Sequence, residues 1–204
     1  YPLNEVVTGG VLSELFKASA ADDDPTLHFL IWMALEPLIE ADPMHSLLYY
    51  EMGLTKRLQP LASKIMRKMM RRVSDMGDDV IMAQVAEGLN GLGDGADEVL
   101  VAALEGLVEG QRGRVKEVDG DAIKAIGKLS QHENGSVASL AQQLGTIWGD
   151  ASALKLVLET LVDEDVSQQD RLRAIEVAGQ NKTNVTREAL MDLVASDASN
   201  PLKV

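Results

Sequence analysis

Asp165-Val-Ser-Gln-Gln-Asp-Arg-Leu172 returns 32 positions later as Asp197-Ala-Ser-Asn-Pro-Leu-Lys-Val204. Each copy is a polar loop, a capping side chain, and the opening of a helix with a basic or polar residue beside an aliphatic one. Upstream, Val137 and Leu140 align with Leu172 and Ile175 at a spacing of 35. A period in the thirties marks helical repeats, whose two-helix units bury their apolar faces only by stacking on neighbours. These residues predict an all-α chain of stacked helix pairs, a HEAT-like α-solenoid.

Outward from this stretch, helix-period patterns recur almost without interruption. Leu27, Leu30, Ile31, Ala34 and Leu35 fall at three-to-four spacing within 25–36, after a short first helix marked by Val11, Leu12, Leu15 and Phe16. Further helices are expected at 43–52, 60–74, 78–91, 96–109, 120–130, 135–147, 152–163, 168–179 and 185–196. Pro37 is expected to kink or end the second helix, because its ring collides with the preceding turn. No window shows the period-two alternation of a strand.

Helix starts carry their own signals. Asp24-Pro25, Asp42-Pro43 and Asn200-Pro201 each put a capping side chain before a proline at the first helical position. Ser167 with Asp170 resembles a capping box, although Glu or Gln is usual at the last place. Glycines at 77, 91, 93, 95, 110, 113, 135 and 149 fall mostly between apolar stretches, where helix ends call for left-handed residues. Short connections force neighbouring helices to run antiparallel. Ten or eleven helices in 204 residues give two-helix units of roughly 35 to 40 residues. The chain reads as one domain over 1–204, irregular over 1–110 and more regular over 111–204. Residues 200–204 read as the first turn of another helix, so a fragment of a longer solenoid is expected.

The composition agrees with helices. Leu, Ala, Val, Ile and Met dominate the 46% apolar content, and unbranched side chains lose little rotamer freedom in a helix. The net charge of −13 argues against binding the phosphate backbone of nucleic acids and against a cationic membrane-surface protein. No apolar run reaches the roughly 18 residues that cross a bilayer, so no membrane insertion is expected. The chain lacks cysteine, which removes disulfides, thiolate metal sites, a cysteine nucleophile and covalent haem attachment.

Catalytic patterns are missing as well. His28, His45 and His132 have no metal-ligand partner at i+3 or i+4, and His28 reads as a hydrogen-bonded core histidine. Asp22, Asp23 and Asp24 lack the alternating ligands of a calcium loop and read as a solvated cap; Asp119 and Asp121 are too close together for one. Gly91-Leu-Gly93-Asp-Gly95 lacks both the spacing and the preceding strand of a dinucleotide fingerprint, and reads as an interhelical turn. The serines form no nucleophile elbow. Met66, Met69, Met70, Met76 and Met82 read as core filling, and Trp32 and Trp148 as core anchors. No catalytic, cofactor-binding or metal-binding residue is nominated.

One segment stands apart. Lys56, Arg57, Lys64, Arg67, Lys68, Arg71 and Arg72 lie in a stretch without a single acid, and the rest of the chain carries −20. Leu58, Leu61, Ala62, Ile65, Met66 and Met69 form the apolar side of the same helix. A basic amphipathic helix can dock an acidic partner. In an acidic chain its charges can equally pair with neighbouring helices, and that ordinary role is the one expected.

Asp24-Pro-Thr-Leu-His-Phe-Leu-Ile-Trp-Met-Ala-Leu-Glu-Pro37 resembles the start of the helical, armadillo-like block in large multidomain bacterial proteins, the PVC-type haem-binding and membrane-bound-dehydrogenase-like proteins. The resemblance implies a HEAT-like block between a propeller resembling sugar dehydrogenases and a cytochrome c module. It also implies an exported or periplasmic setting. This chain has neither haem motif nor propeller, so no catalytic or haem-ligating residue carries over. The expected function is a non-catalytic scaffold whose partners are protein domains. The alternative is a docking surface for a cytochrome or dehydrogenase domain through helix 56–72.

Overall fold

The computed structural model describes residue 14 and residues 24–42, 59–92, 96–111, 118–163, 165–181 and 184–195. The described residues are helical, with no strand among them. They form α1 (Pro25–Ala41), α2 (Gln59–Met76), α3 (Asp79–Gly91), α4 (Asp97–Gly110), α5 (Gly120–Leu129), α6 (Gly135–Ile147), α7 (Ala151–Val162), α8 (Gln168–Gln180) and α9 (Asn184–Ala195). Nine helices among the described residues stand against the ten or eleven expected. The helix expected at 43–52 lies outside the described residues. So does the one around 11–16, apart from Glu14, which is helical.

The caps explain why the helices begin where they do. Asp24 accepts the Thr26 N–H at 2.8 Å with Pro25 behind it, and Asp78, Asp119, Asn134 and Asp150 cap α3, α5, α6 and α7 in the same manner. The expected cap at Ser167 is a variant of the capping box. Its hydroxyl accepts the Asp170 N–H at 3.2 Å and donates to the Asp170 carboxylate at 2.6 Å. The shorter Asp reaches the cap's hydroxyl instead of its backbone N–H. Asp42, expected to start a helix, closes α1 with its N–H on the Leu38 carbonyl; Pro43 lies outside the described residues.

Pro37 does not end α1. The helix runs four residues further, with Ile31, Leu35 and Ile39 buried in a stripe on one side and Pro37 exposed. Burying Ile39 completely outweighs the one backbone bond that proline removes. The expected apolar face is also turned. Leu30 is 58% exposed and Ala34 is exposed, so the stripe follows i, i+4, i+8 instead of the wider set read from sequence.

The principal packing joins helices one or two places apart in the chain. In the even-numbered series α2 packs on α4, α4 on α6 and α6 on α8, and in the odd-numbered series α3 packs on α5 and α7 on α9. Sequential pairs such as α1–α2, α5–α6, α6–α7, α7–α8 and α8–α9 tie the two series together. One buried cluster runs from Ile31 through Trp148. A second, smaller one joins α7 and α8 through Val157, Leu161, Ala174, Val177 and Ala178, with Leu190 and Leu193 of α9 packed against it. Met66, Met69, Met70 and Met82 are core residues, as read from their spacing. Trp148 is buried too, whereas Trp32 is only partly so.

The register between α6 and α8 differs from the one the sequence suggests. Val137 is fully buried and its expected counterpart Leu172 is 45% exposed. Matching caps and buried positions instead sit 33 residues apart: Asn134 with Ser167, Ala141 with Ala174, Leu144 with Val177. Aliphatic identity alone selects a register two residues out of phase, because Leu172 and Val137 look alike to a pattern that does not see the cap.

Candidate functional site: a groove across the even-numbered helices

Two adjoining hollows of about 810 and 440 Å3 open along α2, α4, α6 and α8, sharing Arg67, Val101, Glu105 and Ser136. Val101 and Val108 from α4, Leu140 from α6, Val157 from α7 and Ala174 and Val177 from α8 supply aliphatic lining. Ser139, Gln142 and Gln143 from α6 add hydroxyl and amide groups. Glu98, Glu105 and Glu109 stand on the α4 side, and Asp170 and Glu176 on α8.

Beside this groove α2 and α4 approach each other closely. A Cβ on Gly106 would overlap the Arg67 carbonyl and come within 2.8 Å of the Met70 Cβ; one on Gly110 would overlap the Ser74 Cβ and come within 2.8 Å of the Arg71 carbonyl. Glycine at both places lets the backbones touch. Gly110 is the last residue of α4, at a helix end as expected but without a left-handed backbone, and Gly106 lies inside the helix. The left-handed conformation is adopted by Gly77 (φ 63°) and Gly149 (φ 88°). Beside the contact, the buried Gln111 amide donates to the Ser74 hydroxyl at 2.9 Å, and that hydroxyl donates to the Leu107 carbonyl at 3.1 Å.

The basic residues of α2 divide between two neighbours. Arg67 points into the groove, with Nη1 at 2.9 Å from Glu105 and Nη2 bonded to Glu109. The hydrogen bond to Glu109, then the charges of both glutamates, hold its guanidinium above its ordinary pKa despite partial desolvation, so it keeps its charge. Arg72 turns the other way, pairing with Glu40 and lying 3.7 Å from Glu36 on α1. Lys68 sits 5.7 Å over the Trp32 ring of α1, a cation–π arrangement. Lys64 lines the smaller hollow and Arg71 is exposed. Lys56 and Arg57 lie outside the described residues. The five described cations of this stretch, Lys64, Arg67, Lys68, Arg71 and Arg72, thus divide between neighbours on either side of α2. Arg67 joins α2 to α4, and Arg72 and Lys68 join it to α1.

Other residues with possible chemistry have structural roles. The His132 ring nitrogen accepts the Asn134 N–H at 3.1 Å; His28 is half-buried on α1, and His45 lies outside the described residues. Asp119 caps α5, and Asp121 pairs with Lys124 at 2.9 Å. That hydrogen bond raises the Lys124 pKa. Gly91 and Leu92 close α3, and the rest of the Gly91–Gly95 turn lies outside the described residues. The Asn134 amide donates to Asp97 and the Asn181 amide to the Thr146 carbonyl, each at 2.9 Å. Among the described residues no group of three or more His, Asp or Glu is placed to hold a metal ion, and no helix is long and apolar enough to cross a membrane.

Compared with protein-family models, curated proteins and solved structures, the chain matches none of them.

Proposed function

We propose that this chain is a non-catalytic helical scaffold, a HEAT-like α-solenoid that presents the groove across α2, α4, α6 and α8 to other protein segments. The observation carrying this reading is the packing order: helices meet mainly one or two places along the chain. Quasi-linear stacking of that kind leaves one series of helices facing outward along its whole length, a surface suited to holding partners in register. The 33-residue match between α6 and α8 supports a repeating unit. The setting implied by the resemblance of residues 24–37, between a propeller and a cytochrome module of an exported redox protein, belongs to this proposal as the source of its partners.

Docking of a cytochrome or dehydrogenase domain through the basic helix draws less support. Arg67 and Arg72 already pair with carboxylates of this chain, which lowers the net positive field an acidic partner would meet.

Native-state hydrogen exchange of the full chain tests the scaffold reading. Stacked repeats have local stabilities, so α7–α9, with the smaller buried cluster, are expected to open separately from and before α2–α6. A single opening event shared by all helices would sink it.

A further inference from the structure

We infer that the groove takes an extended, cationic peptide segment whose lysines or arginines alternate with small aliphatic residues. The inference rests on the scaffold reading and adds the chemistry of the occupant. Six carboxylates and three cations line the two hollows; Glu105 and Glu109 pair with Arg67 and Asp170 with Arg173, so the surplus negative charge lies with Asp97, Glu98 and Glu176 against Lys64. An acidic wall alone would bind nothing in particular. Here the acids flank an aliphatic lining of Val101, Leu140 and Ala174, which gives buried apolar side chains somewhere to go.

The groove also demonstrates its own preference. Its one guanidinium from α2, Arg67, is held by Glu105 and Glu109, an i, i+4 pair spaced to take a charged fork from across the groove. Glu98 on the same helix and Glu176 on α8 are exposed carboxylates placed beyond each side of that pair. Main-chain groups of an occupant would meet the hydroxyl of Ser139 and the amides of Gln142 and Gln143. Those groups reward an extended segment, whose N–H and C=O groups are open, over a helix that has already paired its own.

Fluorescence anisotropy on the full chain tests this with three labelled probes: four copies of Lys-Val-Thr, of Gln-Val-Thr and of Glu-Val-Thr. The cationic peptide should bind at least about tenfold tighter than the neutral one and weaken as salt rises. The double variant Glu98→Gln/Glu176→Gln should loosen it by about threefold or more. Glu188→Gln/Asp192→Asn on α9, with the same charge change away from the groove, should leave it unchanged. The inference is overturned if the cationic peptide does not bind, if the neutral peptide binds as well, or if both double variants weaken binding alike through diffuse charge. A neutral or acidic peptide that binds and is lost on Leu140→Gln would remove the charge preference while leaving the scaffold standing. Only the exchange experiment removes the scaffold itself.

Discussion

Gly106 of α4 lies against the Arg67 carbonyl of α2 with no room for a Cβ, and the Arg67 side chain leaves that same point to pair with Glu105 and Glu109. Backbone contact and ion pair are therefore one joint. The glycine brings α2 close enough for the guanidinium to bridge carboxylates about one turn apart on α4. The pairing then anchors the wall of the groove.

Alanine at this joint should destabilise the protein despite its better helix propensity. Removing a mid-helix glycine gains about 1 kcal/mol in an open site. Here the obstacle at Gly106 is a backbone carbonyl, which cannot rotate aside, so overpacking of about 1–3 kcal/mol wins. Urea denaturation should show Gly106→Ala and Gly110→Ala less stable than the parent. Gly127→Ala in α5, where a Cβ would meet nothing within 4 Å, should be neutral or stabilising. Equal gains at all three positions would contradict the close approach.

The α1–α2 joint should be local and salt-sensitive. Arg72 pairs with Glu40 and lies near Glu36, with its side chain about a third exposed, so solvent screening keeps the global contribution below about 1 kcal/mol. Arg72→Met keeps the apolar stem and removes the charge. Amide exchange across Pro25–Ala41 should quicken several-fold while α4 to α6 keep their protection. Uniform quickening, or none, would show that these carboxylates do not hold α1.

Asn181 should matter more than its position at a helix end suggests. Its buried amide donates to the Thr146 carbonyl, and its own carbonyl accepts the Thr186 hydroxyl at 2.6 Å, linking α6, α8 and α9. Asn181→Ala removes one bond to the buried Thr146 carbonyl, which keeps the Gly149 N–H at 3.1 Å, so the cost is that of a single hydrogen bond, about 1 kcal/mol. Asn181→Asp keeps the shape but cannot donate when ionised, and should cost at least as much. The loss should be concentrated in α7–α9, read by exchange or by denaturation followed at amides of those helices. Stability equal to the parent in both variants would remove the link.

Much of this architecture was legible in the chain. Seven of the helix windows from 78 onward match α3–α9 to within a residue or so, because apolar period and Asp, Asn or Ser caps act over a few neighbouring positions. The same locality explains the misreadings. Proline at 37 is a stop signal by its own chemistry, but burial of Ile39 two residues later carries the helix past it. Leu172 resembles Val137 by side chain, yet the caps set a different register.

Which charges form a surface was not legible. Lys64, Arg67, Lys68, Arg71 and Arg72 share one side of α2, within about 140° at 100° per residue, and the two edges of that side meet different neighbours, Arg67 facing α4 and Arg72 facing α1. Gly106 gave no signal, since a glycine inside a helical pattern looks like a weak point until another backbone lies against it. The sequence by itself determined where helices start, which residue types they bury, and the absence of catalytic motifs, all consequences of local periodicity and capping. Tertiary structure alone decided that α2 and α4 touch, that Arg67 faces a groove while Arg72 faces α1, and that carboxylates from α4 and α8 line one hollow. Those facts depend on side chains dozens of residues apart, whose meeting is set by helix packing and not by any local pattern.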